Sequence, residues 1–575
     1  MSSVSALQPG ARSKSAREGV TDRLLRLRSR WPWVALAVAL GWVVLAPLVR
    51  LQQRAMEDGA SAYSRLLDEP RLGETITYTV ALAAGSVVLA VTIGTGVAWG
   101  AYNLPSRWRW LAIVPLVTLM VPPLAQVSGW AFLLAPRVGY LNSAARHLPW
   151  WDHLAEGPID IYSAPAIVGI TGFMLVAFVY LFVYTALQGM DVTLTEAAHA
   201  SGATTSKTFR YIVWPLLRPA ILYSTTIVLL LGLGQFTAPL LLGRQEGIDV
   251  VTTEMYRAAN TFPLDYGLAA AYGSPIIFVG GILILVQRLA LRDESRYQTL
   301  NSRGHRTGTR GSSLAILPLA AYGIVAVLLP LVGLLIVALS PFWSGSIDVR
   351  SMSLRHVWAV LDDPLTWQAI WTSIRASLVA LAIVLPIGYL TAIGVWDRRR
   401  SGRMVGSVLD VLASVPLVMP AVLFGAGILF AYSEGPIVLY GTTAALVVAY
   451  VTLTIPHVSR VVQSGLVGMG QTLVEAARSC GAGTWRTHLT VILPSIRQSI
   501  GAAGALTMAL LSHEFAASVM VRSPQTEVMG TLLYRYWTTG STPAVAVIAL
   551  IMCTVTVVMV GLALAIGGRR SLEHF

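Results

Sequence analysis

Twelve apolar stretches leave this chain few folds to choose from. They fall near 31–49, 75–101, 110–134, 164–187, 219–242 and 267–290. A second set falls near 314–340, 368–396, 406–431, 442–464, 498–521 and 543–567. A helix of about 20 apolar residues crosses the hydrocarbon core while satisfying every backbone N–H and C=O within itself. Only 12% of the 575 residues are charged, against about 25% in a soluble domain. The expected fold is an all-α polytopic membrane protein of about 12 transmembrane helices.

The net charge of +13 does not point to nucleic acid, because the arginines gather in particular short loops. Arg23, Arg26, Arg28 and Arg30 precede the first apolar run, Arg107 and Arg109 follow the second, and Arg398, Arg399, Arg400 and Arg403 follow the eighth. Arg292, Arg296, Arg303, Arg306 and Arg310 lie between the two sets, and Arg569 and Arg570 follow the last. The alternate loops mix signs: Glu57, Asp58, Asp68 and Glu69 offset Arg50, Arg54 and Arg65. The positive-inside tendency then places both termini in the cytoplasm. The first run is long for a signal peptide and has no convincing cleavage site after it, so it reads as a retained span. The expected division is a mobile basic leader (1–30), a first half (31–291), a linker (292–312), a second half (313–568) and a tail (569–575). Cys480 and Cys553 are too few and too far apart for a disulfide framework.

One polar phrase occurs twice. From Thr193 to Ile221 and from Thr472 to Ile500, 279 residues apart, 12 of 29 positions are identical without a gap. Glu196, Ala197, Ala198, Gly202 and Pro215 match Glu475, Ala476, Ala477, Gly481 and Pro494. Phe236 and Phe515 keep the same spacing into the next span, and Gly94 and Gly388 hold similar places in the second span of each half. A parallel duplication puts a pathway at the interface of the halves. Each phrase begins Thr-x-x-Glu, a capping-box pattern at Thr193 and Thr472. A short helix should stop at Gly202 or Gly481, where a residue without Cβ can turn left-handed. Thr205 and Thr484 should cap a second helix. Both phrases lie on the cytoplasmic face.

Glu-Ala-Ala, three residues, Gly, nine residues and Ile-x-Leu-Pro is the signature that this phrase resembles. It is the EAA motif of permeases in binding-protein-dependent ABC importers. The second copy ends Val491-Ile492-Leu493-Pro494, and the first departs in having Trp214 where the pattern has Leu. The resemblance covers roughly 72–290 and 366–567. It implies two parallel-repeat six-helix halves of the MetI-like permease fold in a bacterial inner membrane. It also implies that segments 193–218 and 472–497 are coupling helices, each docking one copy of an ABC ATPase subunit. Lys207 and Arg486, basic in both copies, suit acidic rims of such a cleft or serve as ordinary positive-inside charge. An extracytoplasmic solute-binding protein is the other implied partner besides membrane lipid. ATP and Mg belong to the ATPase, and no cofactor is expected on this chain.

Signals of other chemistry are thin. Gly202 to Thr208 lacks the second glycine of a phosphate-binding loop and does not follow a strand. The histidines show no metal-ligand spacing, and no nucleophile stands beside a base, so the chain is not read as an enzyme. Asp397 to Arg403 reads as a positive-inside cluster. Charge within a span usually faces the bundle interior. Glu514, in the eleventh span, has Gln235 as its counterpart, and both are candidates for the pathway. The alternative for Glu514 is a buried partner for Arg375 or His513. Gln126, after Pro122-Pro123, and Pro420 mark expected broken helices that line a cavity. The fused halves resemble ferric-iron permeases, with thiamine, phosphonate and polyamine importers as near relatives. Outer carboxylates open to a cationic solute would be Glu246, Asp249, Glu254, Asp265 and Glu527. An ion-driven secondary transporter is the alternative class, and it leaves the repeated phrase unexplained.

Overall fold

A computed structural model describes residues 10–190, 192–290, 312–433 and 437–567. The basic linker (save Ser312) and the tail lie outside the described residues. Within them the regular structure is helical throughout. Among the described residues nine helices are long and apolar enough to cross a membrane, and counting each of three bent pairs as one span gives twelve. Each overlaps one expected span, the eleventh the least, since its bent pair is Thr484–Ser495 and Arg497–Leu511. From Gly10 the leader is helical and continuous with the first span, one helix running from Gly10 to Met56. Its Ala, Arg and Leu content favours helix, and Pro32 stands inside it without ending it.

Prolines account for the broken spans. The third span is Ser106–Met120 followed by Pro123–Leu134, bent by 93°, and the ninth is Arg403–Leu417 followed by Ala421–Tyr432, bent by 107°. Val121 before Pro122 and Met419 before Pro420 are both extended, at φ −88°, ψ 119° and φ −97°, ψ 130°. A proline ring disfavours the helical region for the residue before it, so the chain turns there. The eleventh span is bent by 71° between Ser495 and Arg497. Three π turns, Phe209–Val213, Ile324–Leu328 and His488–Ile492, have a common cause. Each ends two residues before a proline: Pro215, Pro330 or Pro494. The wider turn relieves the crowding of the proline ring against the carbonyl four residues earlier.

Small residues set the close packing inside each half, as is common between membrane helices. A Cβ on Gly94 would stand 2.7 Å from the Val179 Cβ, and one on Gly388 would stand 2.4 Å from Val458 Cγ1. Val179 and Val458 are themselves 279 residues apart. The two halves also interlock. Helix Ala421–Tyr432 of the second half packs on the first helix, Gly427 against the backbone of Pro47. Helix Pro123–Leu134 of the first half likewise receives Leu329–Leu339, Gly129 against the backbone of Pro330.

Two helices stop short of the expected span ends. Trp214–Leu233 is followed by a break at 234–236, and Arg497–Leu511 by a break at 512–517, before the short helices Thr237–Leu242 and Ser518–Val521. Glu514 and Gln235 therefore sit in unwound chain just past a span, not within its helix. The cause lies in Gly234 at one break and the short polar run Ser512-His513-Glu514 at the other.

Candidate functional site

The repeated phrases form matching exposed elbows. Helices Val192–Ala200 and Thr472–Ser479 end at Gly202 and Gly481, whose φ values of 82° and 78° are left-handed. The Ala203 N–H donates to the Ala198 carbonyl at 2.9 Å, and the Ala482 N–H to that of Ala477 at 3.0 Å. The Gly202 N–H donates to His199 at 3.0 Å and that of Gly481 to Arg478 at 2.9 Å. These two bonds are the Schellman closure of a helix end. The last Ala of each Glu-Ala-Ala thus supplies the carbonyl that locks the turn. Glu196, Ala197, Glu475 and Ala476 are exposed, as are Leu194 and Leu473 at the matching position before them. Lys207 and Arg486 are exposed on the second helical turn, and Pro215 and Pro494 follow the π turns. Apolar, small and cationic groups on one exposed surface suit protein docking more than solvation.

The caps differ from the expectation. Thr193 lies inside a helix that already begins at Val192, and Thr472 is the first helical residue. Gln471 takes the cap position there and makes no side-chain cap bond, because the turn at Gly470 (φ 75°) starts the helix one residue early. At the second helices Thr205 and Thr484 are again the first helical residues. The cap is Thr204, whose hydroxyl accepts from the Lys207 N–H at 3.4 Å, and its counterpart is Gly483.

The elbows are anchored by different chemistry. In the second half Arg478 pairs with Asp397 at 3.2 Å, Arg400 donates to Thr484 Oγ1 at 2.5 Å, and Tyr389 meets His488 Nδ1 at 2.7 Å. The cluster after the eighth span therefore holds the elbow as well as carrying positive-inside charge. Burial and the neighbouring Arg478 hold the Arg400 guanidinium below its ordinary value, against the pull of Asp397. In the first half Phe209 stands where His488 does, and Trp99 packs on it edge to face at 4.8 Å. Sequence reasoning also missed the Asp410–Arg460 pair (2.9 Å), with Arg460 reaching Ser414 at 2.6 Å. The signal was available: two ionisable residues in consecutive spans.

Between the halves lies an aromatic cluster, which would close a pathway running there. Phe236 and Phe515 stack on one another with centroids 5.7 Å apart, Tyr256 meets Phe236 at 5.7 Å, and Tyr534 meets Phe515 at 5.6 Å. Tyr256 and Tyr534 touch at 6.1 Å. Helices Val251–Asn260 and Met529–Thr538 carry the tyrosines. Their first N–H groups donate to Thr79 Oγ1 at 3.0 Å and to Ser373 Oγ at 2.9 Å, fixing each helix to the second span of its own half.

Two of the pathway candidates, Glu514 and Gln235, hold the segments that carry Phe515 and Phe236. Glu514 accepts from the Ala517 N–H (2.7 Å), the Ser518 N–H (3.0 Å) and the Ser518 hydroxyl (2.6 Å), so it caps the short helix that follows Phe515. Gln235 accepts from the Thr171 hydroxyl at 3.2 Å, and its backbone carbonyl from Thr252 at 2.5 Å. Its buried Nε2 has no hydrogen-bond partner. Arg375 is exposed over the ring of Trp371, away from Glu514. Gln126 is buried and donates to the carbonyls of Thr118 (3.4 Å) and Ala326 (3.5 Å), bridging the bend of its own span to the seventh.

Comparison with known proteins accords with this duplicated build. A putative ferric transport system permease protein of Haemophilus influenzae is 23% identical over 450 residues, covering 76% of this chain and 68% of that protein. A probable ABC transporter permease protein of Sinorhizobium fredii is 26% identical over 516 residues, 83% and 85% of the two chains. A spermidine/putrescine transport system permease protein of Escherichia coli is 28% identical over 236 residues, 40% of this chain and 82% of its own. The profile of the binding-protein-dependent transport system inner membrane component matches twice, at 90–293 and 384–571, once in each half. The chain belongs to that family, as a fused two-half permease.

Proposed function

We propose that the two exposed elbows, 193–218 and 472–497, each dock one copy of a separate ATPase subunit, and that both termini share their cytoplasmic side. The solute, delivered by an extracytoplasmic binding protein, then passes between the halves. The observation that carries this reading is the pair of glycine-locked helix ends, alike in every closing bond and in the exposed face they present. Nothing within a single half needs such a surface.

The mechanism follows from rigidity at the elbows and a two-sided contact on the axis. ATP and Mg bound by the partner draw the ATPase subunits together, and the elbows move with them. Each elbow is fixed to its own half, so the halves rotate as bodies. The aromatic stack joins residues of opposite halves, and such a rotation parts it. The chain itself does no covalent chemistry.

Ferric iron is the solute we propose, on the strength of the ferric permease relatives. Phosphonate, polyamine or thiamine is the second reading, favoured for the first two by relatives of one-half length. The test is co-purification of the chain with its ATPase and reconstitution with its binding protein. Two ATPase copies per chain and ATP-dependent uptake support the reading. One copy, or uptake on an ion gradient without nucleotide, would sink it.

A further inference from the structure

On the face opposite the elbows a cavity of about 800 Å³ opens, with Tyr534 of the aromatic cluster in its wall. It lies between the halves, bounded by the end of the first helix, by Asn260 and Tyr266, and by Phe430, Arg522 and Arg535 of the second half. Four arginines line it, Arg50, Arg54, Arg522 and Arg535, against two carboxylates. Both carboxylates are engaged. Glu527, only 1% exposed, is held by Arg535 at 2.5 Å and Arg522 at 3.5 Å, and Glu57 by Arg54 at 2.7 Å. Arg50 reaches the Gln53 amide oxygen at 3.3 Å. The surplus charge of the cavity is positive.

The cavity breaks the symmetry of the duplication. Ala259 lines it, and the matching residue of the other half, 278 positions on as Tyr534 is from Tyr256, is Trp537. Trp537 packs at 6.3 Å from Phe132, which also meets Trp343 at 5.1 Å, so the mirror position is filled. Arg50 and Arg54 stand three and seven residues after Pro47, and the same steps after Pro330 give Gly333 and Val337. Arg522 and Arg535 do have counterparts, Arg244 and Arg257, but the open space and the charge of Arg50 and Arg54 are not by-products of repeating one half. Three more of the outer carboxylates expected to suit a cation are occupied: Asp249 by Arg71 (3.4 Å), Asp265 by Arg65 (2.9 Å) and Glu254 by Arg257.

We infer that this cavity receives the solute as an oxyanion, a carboxylate or phosphonate group that is either free or wrapped around a ferric ion. Arg50 and Arg54 are its principal ligands. Guanidinium forks match such groups in shape and charge, and a spare arginine next to a closed gate attracts an anion before the gate opens. The inference rests on reading the chain as a solute permease, and it reverses the charge that an iron substrate would suggest.

Calorimetric titration of the full chain in lipid nanodiscs, without nucleotide, tests it with ferric citrate, iron-free citrate, 2-aminoethylphosphonate and spermidine as probes. At least one of the three anionic probes should bind saturably, and spermidine should not. The double variant Arg50→Gln/Arg54→Gln should weaken anion binding by about tenfold or more, as loss of charged hydrogen bonds does. Binding of ferric citrate but not citrate identifies a chelated metal, and binding of the phosphonate or of citrate itself identifies the free oxyanion. Saturable spermidine binding, equal affinity in the variant, or no anion binding at millimolar concentration would each overturn the inference. Co-purification of the variant with its ATPase reports an intact fold. Failure of wild type to recruit the ATPase would instead defeat the permease reading, whatever the titration shows.

Discussion

Phe236 and Phe515, equivalent residues of the two halves, stack on each other with ring planes 28° apart. A residue can touch its own counterpart only on the axis that relates the repeats. The contact therefore lies where a central pathway would run, and it is made of two large apolar rings. Phe236→Ala with Phe515→Ala should leave a passage. Proteoliposomes bearing the double variant are expected to leak small solutes without nucleotide, while wild type stays tight. The cost to stability should be about 3–5 kcal/mol per ring, read by thermal unfolding in detergent. Tight vesicles from a folded double variant would place the closure elsewhere.

A Cβ at Gly202 or Gly481 would meet open space, yet both backbones are left-handed. Substitution by Val at either should cost roughly 1–2 kcal/mol through backbone strain alone, and Asn should cost less. Uptake should fall with the ATPase still bound, because the helix end no longer closes on Ala198 or Ala477. Normal substrate-stimulated ATP hydrolysis in the double Val variant would show that the turn does not transmit motion.

Asp397→Asn removes the carboxylate between Arg478 and the half-buried Arg400. The partly exposed ion pair is worth no more than about 1 kcal/mol, so global stability should barely change. Hydrogen exchange in 472–497 should nonetheless quicken while 193–218, held by Trp99 and Phe209, stays as it was. Equal change in both elbows would contradict the separate anchoring.

Gly388→Ala should destabilise the second half by about 1–3 kcal/mol through overpacking, since Val458 offers its branched Cβ and not a flexible tip. Val458→Ala in the same chain should restore most of the loss, measured as a thermal shift. Non-rescue would mean that the helices are spaced by other contacts.

The spans and the two elbows were legible because hydrophobic length and the repeated Glu-Ala-Ala-x-x-x-Gly are local signals. The breaks at Pro122 and Pro420 were legible for the same reason. The caps were displaced by one residue, because the turn at Gly470 that precedes Thr472 decides where the helix starts. Asp397 and Arg400 read as membrane-orienting charge, since nothing local says that Arg478 and Thr484 fold back onto them. Glu514 read as a pathway group, and its bonds to Ala517 and Ser518 required the knowledge that the helix ends at Leu511. The arginine-lined cavity was not legible, because nothing local brings Arg50 and Arg54 of the first helix beside Arg522 and Arg535 of the second half.

The reciprocal seating of Pro47 on Gly427 and Pro330 on Gly129 has a consequence for biogenesis. The opening helix of either repeat packs on the last span of its own repeat and completes its seat in a groove of the other. Translation of the amino-terminal repeat alone leaves an unfilled seam in the bilayer until the carboxy-terminal repeat emerges. Tethering both on one polypeptide keeps the missing piece at high local concentration.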